Sequence, residues 1–184
     1  LPTRFVGLNA LASFARIAGR LRRYNSNMAA TANTMTNRNY LGAMQLMNMI
    51  GAFAILNNSP YKVLFAAKTE EMALDNGMSS LACTAFTMIS LVASTLHRPE
   101  LAYKCAAISN EIQKRYEVSA WLPRVNLVNY GLTNIFGNTI QENLQKITQA
   151  YLLAFANGDA FFCLNAYSMS MLLRFVLSEP LDDL

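Results

Sequence analysis

Residues 100–116, ELAYKCAAISNEIQKRY, and residues 139–155, TIQENLQKITQAYLLAF, decide how the chain is read. In the first, Leu101, Cys105, Ile108, Ile112 and Tyr116 recur every three or four positions; Ile140, Leu144, Ile147, Tyr151 and Phe155 repeat the same spacing 39 positions later. That spacing puts five apolar side chains on one face of a helix. Its return after one short interval predicts a repeated helical hairpin. The match continues at twice the interval. Asn76-Gly77 and Asn157-Gly158 stand 81 apart, and Ala85-Phe86-Thr87-Met88 maps onto Ala166-Tyr167-Ser168-Met169 at the same offset. The hairpin beginning at residue 61 keeps the stripe in part, through Tyr61, Phe65 and Met72.

Outward from these segments no apolar–polar alternation of the strand type is sustained, so the chain is expected to be all-α. Turn and cap residues punctuate it at Asn57-Asn58-Ser59-Pro60, Asn76-Gly77, His97-Arg98-Pro99, 117–120, Gly137-Asn138, Asn157-Gly158 and Ser178-Glu179-Pro180. Helices are predicted over 5–23, 39–56, 61–75, 79–96, 100–116, 120–136, 140–156 and 159–176. The last six make three antiparallel pairs starting near 61, 100 and 140, with a fourth opening at Pro180. The predicted architecture is a stack of helical hairpins with a repeat of about 40 residues, a tetratricopeptide-like solenoid.

The 184 residues are 53% apolar and 14% charged, which excludes disorder for the bulk and permits a sizeable core. Fifteen basic residues face eleven acidic ones, but six of the basics and none of the acids lie in the first sixty residues. Residues 1–27 therefore form a basic leader or helix, of presequence-like composition, ahead of a repeat region over 28–184. A basic balance confined to one segment argues against nucleic acid as a partner. In the repeat region the first helix of each pair holds nearly all the charge, for example Lys62, Glu70, Glu100, Lys104, Glu111, Glu142 and Lys146. The second helices hold only Arg124 and Arg174. First helices are thus expected at the wetter surface and second helices under cover. The apolar runs 41–56 and 81–96 contain polar residues and fall short of a bilayer span.

No catalytic, cofactor-binding or metal-binding residue is predicted. His97 stands at a helix exit with no nucleophile or carboxylate placed beside it and reads as a cap. Glu70-Glu71 and Asp182-Asp183 are adjacent pairs that diverge on a helix and read as solvated. Ser90, Ser94, Ser168 and Ser170 read as packing residues bonded back to the preceding turn, and Cys83, Cys105 and Cys163 as reduced core thiols. Met44, Met47, Met49, Met169 and Met171 fit core filling, with a Met-rich groove as the alternative. Trp121 and Tyr130 are candidate partner anchors, Trp121 reading first as a corner-packing residue.

The phrases LNNSPYKVLFAAKTEEMALDNGMSSLACTAFTMISLVAS, HRPELAYKCAAISNEIQKRY, RVNLVNYGLTNIFGNTIQENLQKITQAYLLAFANGD and FFCLNAYSMSMLLRFVLSEPLDDL resemble the tetratricopeptide-like helical region of very large signalling proteins. In those proteins the region lies between an AAA-type ATPase with a serine/threonine-kinase-like module and downstream GAF and sensor histidine-kinase modules. The resemblance covers roughly 28–184. Its most specific part is the order Arg124 to Phe136, Gln141 to Leu144, Ala150-Tyr151, Asn157-Gly158-Asp159 and Ala166-Tyr167. Where the family has a Trp, a basic residue and soon a Pro, this chain has Phe136-Gly137-Asn138-Thr139. The resemblance implies a noncatalytic, cytoplasmic scaffold or regulatory segment that contacts proteins or neighbouring domains. No phosphate loop, kinase catalytic loop or phosphoacceptor-histidine motif is present. The alternatives are a membrane-associated accessory subunit of a mitochondrial complex and an all-helical enzyme.

Overall fold

The computed structural model describes residues 3–57, 59, 61–116, 121–133, 135 and 137–178. Its elements are α1 (Thr3–Leu21), α2 (Ser26–Thr31), α3 (Arg38–Leu56), α4 (Tyr61–Asn76), α5 (Ala82–Thr95), α6 (Pro99–Tyr116), α7 (Leu122–Val128), α8 (Ile140–Ala156) and α9 (Ala160–Val176). A π-helical turn, Asn129–Thr133, continues α7. Among the described residues there is no β-strand, only an isolated parallel bridge between Thr34 and Met78. The fold is therefore all-helical. The Pro180 start of a further hairpin lies outside the described residues.

Helix order follows the sequence period, while packing divides the chain into two compact units, Leu1–Glu117 and Val118–Leu184. In the first, α3, α1 and α5 pack on α4, and α6 packs on α5. Ile17, Leu21, Met44, Phe86, Ile89, Ile108 and Ile112 are fully buried there. The basic leader is part of this unit: α1 buries Phe14, Ile17 and Leu21 and pairs Arg16 with Glu71 at 3.2 Å and Arg20 with Asp75 at 2.6 Å on α4.

Residues 24–35, given no element by the sequence period, are clamped between helix ends. Asn25 caps α2 by accepting the Met28 N–H at 2.9 Å. Met35 donates to the Met78 carbonyl, and Met78 to that of Asn33, each at 2.8 Å. From the end of α6, Arg115 donates to the Ala29 carbonyl and to Thr34 Oγ1, each at 3.0 Å, and the Tyr116 hydroxyl donates to the Met78 carbonyl at 2.8 Å. Gly77 makes this possible: its φ of +99° lies in the left-handed region, and a Cβ there would stand 2.5 Å from the Asn33 oxygen.

In the second unit α8 packs on α9, and α7 on both. The core is Leu127, Ile147, Ala150, Ala166 and Leu173, flanked by half-buried Tyr130, Leu144, Tyr151, Phe162 and Met169. The π-turn brings Gly131 so close that an added Cβ would meet Met169 Cγ at 3.2 Å and Ile147 Cδ1 at 3.3 Å. The carbonyls a π-turn frees need partners; the Thr133 hydroxyl donates to that of Val128 at 3.2 Å. The helix starts follow the cap rules: Thr139 and Glu142 form a capping box on α8, and Asp159 accepts the Phe162 N–H on α9.

Candidate interaction surface

Within the second unit, Tyr130 and Met169 flank one core cluster. His97 is exposed, with φ of 55°, and closes α5: its N–H donates to the Ser94 carbonyl at 3.0 Å and that of Arg98 to Ala93 at 2.8 Å. This is the paired bonding of a left-handed C-cap, as its place at a helix exit suggested. Trp121 precedes α7 and lies under the Arg124 guanidinium, 5.0 Å from the ring centroid; Arg124 also covers Phe162 at 4.7 Å and pairs with Asp159 at 3.2 Å. Trp121 is thus a corner-packing residue, and Tyr130 is half-buried against the core.

Ser168 and Ser170 bond back to the Leu164 and Tyr167 carbonyls. Ser90 does not: it reaches across to the Ala102 carbonyl of α6 at 2.9 Å. Met44 is buried, whereas Met49 is exposed and Met169 and Met171 are half-buried, so the methionines form no single core cluster. Cys83 and Cys105 are buried free thiols and Cys163 is half-buried. Burial pushes the Cys83 thiol up to about 12, which leaves it protonated and unreactive at neutral pH. Asp182 and Asp183 lie outside the described residues. Among the described residues no three His, Cys, Asp or Glu side chains are grouped to hold a metal ion.

Glu70 departs from its solvated reading. Glu71 is half-buried, paired with Arg16 and Lys68. Glu70, one position earlier and so 100° around the helix, is 0% exposed, with neither carboxylate oxygen hydrogen-bonded. Burial pushes its carboxyl well above the ordinary range; the Arg20 guanidinium opposes that shift and the Glu71 carboxylate adds to it. A buried carboxyl without a hydrogen-bond partner is a costly core position.

The surface that stands out is on α9. It had been expected under cover as an almost uncharged second helix, and α5, the second helix 81 residues earlier, is indeed buried over most of its length. On α9 only Ala166, Ser170 and Leu173 are buried. Leu164 is 66% exposed and Phe175 63%, and Phe161, Leu172 and Val176 are exposed beside them. Phe155 of α8, the repeat counterpart of Tyr116, is 71% exposed. The difference lies in the neighbours. α5 packs against both α4 and α6, whereas α9 packs against α8 and α7 and, among the described residues, no helix follows it. These exposed apolar side chains make α9 the candidate contact surface.

Fold and surface together define an all-helical chain that presents an apolar helix face. Over 132 residues, 70% of its length, the chain is 30% identical to a hybrid signal transduction histidine kinase (G) of Dictyostelium discoideum. The matched stretch is 4% of that protein, so the chain spans only a small part of this relative. No family model matches the chain, and no solved structure matches it. No helix among the described residues is long and apolar enough to cross a membrane.

Proposed function

We propose that the chain is a noncatalytic helical-repeat segment of a large signal-transduction protein, holding neighbouring domains or a protein partner in register. The observation that carries this is the likeness to a stretch of a hybrid histidine kinase. The hairpin periodicity and the uncovered apolar face of α9 support it, because a module that mediates contacts needs a surface that is incomplete when alone. A cytoplasmic setting is part of the same reading and rests on that likeness alone.

Sequencing the transcript that encodes the chain tests the context: the expected result is an in-frame kinase or ATPase module, and a reading frame with neither contradicts it. The role is tested in that full-length protein by replacing residues 28–178 with a flexible linker of matched reach. Basal autophosphorylation is expected to persist while its response to the activating signal is lost. An unchanged response would remove the coupling role.

A further inference from the structure

The 81-residue repeat gives the bare face of α9 a covered counterpart. On α5 the stripe Cys83, Thr87 and Ser90 lies beneath α6. The Thr87 and Ser109 hydroxyls are 2.8 Å apart, Ser109 also bonds to the Cys83 carbonyl at 2.8 Å, and Ser90 donates to the Ala102 carbonyl at 2.9 Å. Ala102, Ala106 and Ser109, four and three apart on α6 and all buried, let the two backbones approach this closely. Eighty-one positions on from Cys83, Thr87, Ser90 and Ser94 stand Leu164, Ser168, Met171 and Phe175. Leu164, Ser168 and Phe175 are exposed and Met171 is half-buried.

The corners that follow the two helices match as well. Leu96 caps α5 and Leu177 caps α9, with their N–H groups bonded to Val92 and Leu173, both at 3.0 Å. His97 and Ser178, the non-glycine residues at positive φ among the described residues, have φ of 55° and 59° and donate to Ser94 and Phe175, both at 3.0 Å. After His97 the chain enters α6 at Pro99; in the sequence, Pro180 stands 81 positions after Pro99. Proline is suited to the first position of a helix. Through Ser178 the end of α9 thus repeats the cap that closes α5, and the sequence carries the proline at the same distance beyond it.

We propose that the stripe Leu164–Ser168–Met171–Phe175 is the docking seat of an amphipathic helix of α6's kind, with small residues on one face, entered from the Ser178 corner at Pro180. The repeated corner favours this occupant over a second copy of the chain, whose own α6 is already engaged with α5. The inference rests on the repeat half of the functional reading and not on its signalling half. It can fail while the autophosphorylation response stands, and the reverse.

The test is a graft. Residues 98–116 are copied after Ser178 in place of 179–184, so that the copied Pro99 falls at position 180 and the helix acts at high effective concentration. Amide exchange along α9 is expected to slow about tenfold or more and helical circular dichroism to rise. Both changes should vanish when Leu164→Glu and Phe175→Glu are added, a pair that leaves the ungrafted chain as stable as before because both sites are exposed. Should the graft not fold, a peptide of residues 98–116 titrated into the unmodified chain must slow exchange on α9. Unchanged α9 exchange in both formats overturns the proposal. So does protection that survives the double substitution. Concentration-dependent dimerisation of the unmodified chain with α9 protected also overturns it, making a second copy the occupant.

Discussion

At the scale of single residues, two glycines 81 positions apart separate backbone strain from steric contact. Gly77 and Gly158 both have positive φ, +99° and +69°, but a Cβ at Gly77 meets the Asn33 backbone while one at Gly158 meets nothing within 4 Å. Gly158→Ala is expected to destabilise by about 1 kcal/mol, the left-handed penalty alone. Gly77→Ala should lose roughly 2–4 kcal/mol, because the 24–35 clamp must also move. Urea denaturation of the two variants measures the difference, and equal losses would contradict the clamp. Glu70 yields a second prediction. Its carboxyl titrates higher in the folded chain than when unfolded, so the folded state is favoured at low pH and loses that advantage as pH rises from the ordinary carboxylate value toward the raised one. The melting temperature should therefore rise on acidification from neutral toward pH ~5, and a Glu70→Gln variant should show a flatter profile over that window. Asn76-Gly77 and His97 were legible in the sequence because helix exits have their own residue chemistry. Glu70 was not: beside Glu71 it looks solvated, and only the orientation of α4 sends one of two adjacent carboxylates inward.

At the scale of elements, the α5–α6 contact depends on small residues and a shared hydroxyl network. Ala106→Leu, at a fully buried site, should destabilise by about 2–3 kcal/mol through overpacking. Ser109→Ala, which strips a buried partner from Thr87, should lose about 1–2 kcal/mol. Thermal melts of both check this, and a neutral Ala106→Leu would mean that α6 sits farther from α5 than the hydroxyl distances require. Seven of the eight helices expected from periodicity are present with ends shifted by a few residues, since apolar spacing and cap residues are local signals, and the one expected over 120–136 is an α-helix only over Leu122–Val128. Two elements were not legible. α2 is only six residues, too short to show a period, and is fixed by Asn25 and the ends of other helices. The π-turn after α7 keeps the apolar spacing of an α-helix in sequence. It holds Gly131 where a Cβ would crowd Met169 and Ile147, contacts between distant segments that no local signal announces.

At the scale of the whole molecule, the opening period acquires a physical meaning that composition alone could not supply. Both α5 and α9 are nearly uncharged; α5 is covered by α4 and α6, and α9 leaves Leu164, Leu172 and Phe175 exposed. The sequence showed which helices lack a polar face. Whether a neighbour covers each one depends on packing between distant segments, which is why the division into Leu1–Glu117 and Val118–Leu184 was not legible in it. Native-state hydrogen exchange on the monomeric 184-residue chain tests this account most directly. The α5 amides should be the slowest and those on the bare face of α9 faster by about a hundredfold or more, in proportion to the burial each helix has. Equal protection of α5 and α9, or slower exchange on α9, would contradict it.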